Sequence, residues 1–182
     1  MARRTRRKYY KRKSGRWAPN IVKISSVNQA SVGEFFNYEN LCVNPIQSNT
    51  GVSQTFTAKN FEITFTLETP EINTNLLESI TAYIMFVPQG MNITSSYYAE
   101  HPEYIMAYKY LGSPMGRIPY QEAGLTMASE VQQYQPIRIR TRLSRKLQTG
   151  DKIILFIQGS NESSNVSHYN IDGIVRWWTK AN

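Results

Sequence analysis

One cysteine, Cys42, in 182 residues excludes an internal disulfide framework, so stability has to come from packing or assembly. Histidine is nearly as scarce: His101 and His168 are the only two, and neither stands at a spacing that binds zinc or activates a nucleophile. Glu100 and Glu103 flank His101 closely, but no third partner completes an acid–base constellation. A Walker lysine, a glycine-rich dinucleotide loop and a nucleophile elbow are all missing. Enzyme activity is therefore not expected, and no cofactor or metal is implied. No stretch reaches the roughly 18 apolar residues of a membrane span. Trp17 to Ser31 lacks the apolar run of a secretion signal, so no membrane partner is expected and the chain reads as soluble and made inside the cell. The sequons at Asn92, Asn161 and Asn165 are then expected to stay unmodified.

Acid is also missing from the first 17 residues, which hold nine basic side chains: Arg3, Arg4, Arg6, Arg7, Lys8, Lys11, Arg12, Lys13 and Arg16. The rest of the chain carries 12 basic and 13 acidic residues, so the formal charge of +8 belongs to this segment alone. A like-charged block repels itself and buries nothing, and disorder is expected until a polyanion neutralises it. The composition changes near Gly15 to Asn20, dividing the chain into an arm, residues 1–19, and a body, residues 20–182.

Lysine and arginine contact phosphates without reading bases, so the arm is expected to bind nucleic acid tightly and without sequence preference. If all nine cations engaged a single strand, log K would fall with log salt at a slope approaching about −6. Tyr9, Tyr10 and Trp17 lie among the charges and suit stacking on unpaired bases, at about 1–3 kcal/mol per base. The clusters Arg3-Arg4-Thr5-Arg6-Arg7-Lys8 and Lys11-Arg12-Lys13 would equally serve a nuclear import receptor.

The body reads as all-β. Phe61, Ile63, Phe65 and Leu67 alternate with Glu62, Thr64 and Thr66, which predicts a strand with one core face. Ile80 to Val87 is apolar on both faces, as expected for a strand covered on both sides by a partner subunit or a second sheet. Lys152 to Gly159 and Tyr169 to Trp178 are further strands, with Gly173 marking a bulge or a close backbone approach. Weaker patterns lie at Asn20 to Val27, Ser31 to Val43 and Gln54 to Ala58, and the total suits an eight-stranded sandwich. Pro136 to Leu143 predicts one strand with Arg138, Arg140 and Arg142 on a single face, either exposed to water, lining a lumen or meeting a neighbouring subunit. His101 to Gly112 reads either as a short helix beginning at Pro102 or as an aromatic-rich loop. Tyr97, Tyr98, Tyr104, Tyr108 and Tyr110 suit an interface or ordinary packing equally well.

The segments MARRTRRKYYKRK, ITAYIMFVPQG, HPEYIMAYKYLGSP, IRTRLSRKLQTGDKIILFIQG and YNIDGIVRWW resemble the capsid proteins of small circular single-stranded DNA viruses that encode a replication initiator, the circoviruses, cycloviruses and their relatives. The chain is shorter than typical circovirus coats, which leaves less sequence for surface loops. What the resemblance implies is a single eight-stranded antiparallel jelly roll of two four-stranded sheets with a disordered basic arm. It further implies self-assembly into a small icosahedral T=1 shell, packaging of single-stranded DNA, and residence in the virion and, during assembly, in the host nucleus. The competing expectation is a non-viral nucleic-acid-binding β-barrel module with a basic tail. An enzyme of nucleic-acid processing stands third, since it would need acidic metal ligands that no pattern supplies.

Overall fold

Side chains that alternate between apolar and polar can bury one face only by pairing edge to edge and stacking a second sheet on that face. The computed structural model, which describes residues 16–45, 55–68, 77–112, 121–122, 125–126, 136–162 and 164–181, arranges the chain in this way. Its strands are β1 (Ala18–Ala30), β2 (Gly33–Val43), β3 (Phe56–Glu68), β4 (Leu77–Val87) and β5 (Ile105–Gly112), with a four-residue helix α1 (Tyr97–Glu100) between the last two. A two-residue pair, β6 (Gln121–Glu122) and β7 (Leu125–Thr126), is followed by β8 (Ile137–Arg140), β9 (Ser144–Leu147), β10 (Lys152–Asn161) and β11 (Ser167–Ala181).

Sheet one has the order β1-β11-β3-β8, with β9 pairing to the other half of β3; sheet two has the order β2-β10-β4-β5, and every pairing is antiparallel. Counted as one interrupted strand, β8 and β9 bring each sheet to four strands. The chain passes from sheet to sheet between β1 and β2, β2 and β3, β3 and β4, β5 and β8, β9 and β10, and β10 and β11. This wrapping order is that of a jelly roll. The expected fold class is borne out by the strand order itself.

Between the sheets lies one apolar cluster that includes Phe35, Phe61, Ile63, Phe65, Ile80, Ile84, Ile153, Leu155, Tyr169 and Val175, all buried. Phe61 stacks on Trp177 with ring centroids 5.9 Å apart, and Phe35 meets Tyr169 at 5.7 Å. A second cluster, Tyr83, Met85, Val87, Tyr97, Ile154 and Phe156, covers the opposite side of sheet two. The two apolar faces of β4 are thus explained within one subunit: the connection carrying α1 folds back over the sheet. Tyr97, Tyr98 and Tyr104 serve this packing, whereas Tyr108 and Tyr110 stay exposed on β5.

Three expectations are corrected. Residues 101–112 form neither a helix nor a loop: Pro102–Tyr104 makes a single 3-10 turn and Ile105–Gly112 is the edge strand of sheet two. Pairing to β4 overrides the local helical signals, and tyrosines at 108 and 110 suit a pleated surface. Pro136 to Leu143 is not one strand, because β8 ends at Arg140 and the chain steps aside before β9. The Thr141 N–H donates to the Phe61 carbonyl at 2.9 Å, and the Leu143 N–H donates to Thr141 Oγ1 at 3.1 Å. Thr141 is buried in line with Ile139, but Leu143, expected on the same face, is exposed, so the alternation ends at Thr141. Finally, the segments read separately at Gln54 to Ala58 and Phe61 to Leu67 join into β3.

The joint within β3 is a bulge. Asn60 takes φ of 55°, a left-handed conformation that asparagine tolerates better than most residues, and the register with β11 shifts between Arg176 and Trp178. The extra residue lets Ala58 and Phe61 both face the core, so Lys59 and Glu62 both face outward.

Gly173 marks a close approach: a Cβ there would come within 2.4 Å of the Thr64 carbonyl oxygen and 2.7 Å of Phe65 Cα. Because these are backbone atoms of the paired strand, Gly173→Ala is expected to destabilise the fold by at least the 1–3 kcal/mol typical of overpacking, about the upper end of that range. Denaturant unfolding of the two proteins measures this; equal midpoints would refute it.

Candidate nucleic-acid interface

Arg3, Arg4, Arg6, Arg7, Lys8, Tyr9, Tyr10, Lys11, Arg12 and Lys13 lie outside the described residues. Description of the arm begins at Arg16, which is exposed, and Trp17, which is partly buried. The Lys59 ammonium sits 3.8 Å from the centroid of the Trp17 ring. Lys59 faces outward from sheet one, so the arm joins the body on the outer side of that sheet.

Arg138 and Arg140 do share one face, as expected. Both turn to Glu62 of the adjacent strand: Arg138 Nη2 lies 2.7 Å from Glu62 Oε1 and Arg140 Nε lies 3.7 Å from Glu62 Oε2. Arg142 is exposed in the break between β8 and β9 and does not belong to that row. Arg145 turns elsewhere, donating to the Glu103 carbonyl with its guanidinium 5.6 Å from the Phe86 ring. Glu62, Thr64, Thr66, Arg138, Asp172 and Arg176 line an open depression of about 580 Å³ on the same outer face.

Sequence reasoning missed three further cations. Arg176, opposite Glu62 on β11, and Lys180 and Lys59 near the arm all belong to the outer face of sheet one. They stand far apart in sequence, and only the register of β11 against β3 brings them together.

His101 Nδ1 lies 3.4 Å from Glu103 Oε1, and its ring packs against Tyr97 and Tyr104 at centroid distances of 5.0 and 5.3 Å. Among the described residues no group of three metal-ligating side chains forms, and no helix is long and apolar enough to cross a membrane.

Burial favours the neutral form of Cys42, Tyr83, Tyr97 and Tyr169. Burial pushes the Cys42 thiol from 9.0 up to about 12, against a smaller lowering by the Trp177 indole. Tyr97 is likewise pushed from 10.0 to about 12, by burial first and then by Tyr104 and Glu103. Burial also raises Tyr83 and Tyr169, the latter opposed by the amide of Asn37, which donates to its hydroxyl at 2.8 Å. A group whose folded pKa is raised stabilises the fold fully below its unfolded pKa and loses that contribution as pH rises through the folded value.

Stability should therefore hold through neutral pH and fall between about 9 and 12, the interval spanned by the Cys42 shift. Thermal unfolding against pH checks this, and a thiol reagent should label Cys42 only after unfolding. Rapid labelling of the native protein would contradict the assignment. For the exposed Glu62 pairs, Glu62→Gln is expected to cost only about 0.2–1 kcal/mol, measured by denaturant unfolding.

No protein-family model matches the chain, and no curated protein matches it. Among solved structures it is similar to the decameric capsid protein of beak and feather disease virus, at 4% identity and a TM-score of 0.37, covering 92% of this chain and 99% of that one. It is also similar to structures of infectious bursal disease virus, of which it covers 32%: the Gx strain at 9% identity and TM-score 0.32 over 91% of this chain, and the Gt strain at 11% and 0.29 over 88%. Likenesses this distant decide nothing about function, and the jelly roll rests on the strand order of the chain itself.

Proposed function

We propose that the chain is a structural viral coat protein: its jelly-roll body is the repeating subunit of a small icosahedral shell of T=1 symmetry, and its arm packages single-stranded DNA. The observation that carries this reading is the division of charge across a folded boundary. Nine cations precede a β body whose own formal charge is −1, and the two meet on the outer side of one sheet. A body free of excess charge can approach copies of itself without long-range repulsion, while the arms need a polyanion to be gathered at high density. Cargo and shell would then stabilise each other by mass action.

Several exposed groups suit self-association. Tyr108 and Tyr110, 68% and 64% exposed, stand on the edge strand β5, where tyrosine offers contact area at low entropic cost. Ile21 and Val27, 65% and 75% exposed, stand on β1, the edge of sheet one. Closed symmetry sums many such weak contacts and covers sheet edges that would otherwise template aggregation. The sequence resemblance to circovirus-like capsids points the same way, and the basic clusters of the arm fit passage through the nucleus before the virion forms.

Purified protein viewed by electron microscopy is expected to form closed particles holding nuclease-protected DNA. Replacing Arg3, Arg4, Arg6 and Arg7 by Gln should strip the cargo, and Tyr108→Ala with Tyr110→Ala should weaken assembly without unfolding the subunit. A persistent monomer or dimer at low salt and high concentration would favour the β-barrel module with a basic tail instead.

A further inference from the structure

The geometry points to a second nucleic-acid contact on the folded body: the outer face of sheet one, centred on Lys59, Arg176 and Lys180 with Trp17 and Trp178, continues the arm as a platform for single-stranded polynucleotide. This rests on the reading of the arm as a nucleic-acid binder and extends it onto residues of the domain.

The register of β11 places the side chains. Thr179 pairs with the buried Ala58, so its neighbours Lys180 and Trp178 turn outward, as does Lys146 opposite Thr57. Arg176 pairs with Glu62, and Lys23 of β1 pairs with Ile174 one step further on. From the arm to this row, the described residues of the face include seven cations, Lys23, Lys59, Arg138, Arg140, Lys146, Arg176 and Lys180, against Glu62 alone. Beyond it the same face turns acidic, with Asp172 and Glu68. The patch measures about 14 Å across four strands and about 20 Å along them, from the spacings of a pleated sheet.

A merely solvated face would not need this gradient. The body as a whole has one more acid than base, yet its cations crowd the end of sheet one from which the arm departs. Crowding like charges opposes folding through self-repulsion, a cost that bound phosphate removes. Glu62 offsets Arg138 and Arg140, while Lys146, Arg176 and Lys180 have no ion pair among the described residues. Two tryptophans in the patch add what a phosphate site does not require: Trp17 lies beneath the Lys59 ammonium, and Trp178, partly buried, is paired in register with Lys59. Cations interleaved with aromatic rings on an open surface are the recognition chemistry of unpaired bases and their backbone. A strand already held by the arm would meet this face at high effective concentration.

The test uses full-length protein and an oligothymidylate, with binding followed by tryptophan fluorescence across a salt series. Replacing Lys59, Arg176 and Lys180 by Gln should lower the slope of log K against log salt by about 2, at about 0.7 per phosphate contact. Trp178→Phe should reduce the fluorescence quench on binding. Glu62→Gln, which frees two guanidiniums, should tighten binding, and it keeps the idea testable should the triple variant fold poorly. A parent protein that shows no salt-dependent binding would overturn the coat reading together with this one. A parent that binds, an arm variant that does not, and a triple variant with the parental slope would overturn the platform alone. Equal quenching by duplex DNA would overturn the role given to base stacking.

Discussion

The pairing of β11 with β1 on one side and β3 on the other is the constraint on which the rest of the molecule depends. β11 is the longest strand, Ser167–Ala181, and its register settles which side chains of three strands enter the core. A slip of one residue would turn Tyr169, Ile171 and Val175 to water and bring Arg176 and Lys180 inside. Gly173 and the bulge at Asn60 pin that register: the first admits the β3 backbone at a distance no side chain tolerates, and the second absorbs the one residue by which the two strands differ. The core and the outer charge pattern are therefore two consequences of one alignment.

The two sheets meet water differently. Sheet two is covered by its own connection, with Tyr97, Met85 and Phe156 buried in a cluster outside the sandwich. Sheet one has no such cover among the described residues and presents charged and polar side chains interspersed with the exposed Ile21, Val27 and Ile174. Its arm-proximal half carries most of the body's outward cations, and the arm starts there. On the coat reading proposed above, this asymmetry would orient the subunit, with the bare, basic side toward the cargo and the padded side away from it.

What could be read from the chain alone was what is local. Strict alternation from Phe61 to Leu67 gave away a strand, and the absence of acid before Ala18 gave away an arm. The reading failed where a distant partner decides. Residues 105–112 carry helix-like punctuation but pair with β4, and the Arg138 strand stops because the Phe61 carbonyl captures the Thr141 N–H. The doubly apolar β4 was recognised, yet its cover came from the segment following it and not from a neighbour. Lys59, Arg176 and Lys180 carried no signal at all, since a cation every so often along a strand looks like an ordinary solvated face until the register aligns three of them.

The same non-locality bears on how binding and assembly would be coupled. A basic arm alone would tether cargo with little dependence on how the body is oriented, because contacts to phosphate read no geometry of the sheets. A charged sheet face differs, since its cations are fixed relative to the sheet edges. Neutralising it lowers the repulsion between neighbouring subunits that hold such faces on the same side of a shell, and the benefit grows with each subunit added. Cargo held on the folded body would therefore add to the closure that arm-bound cargo promotes.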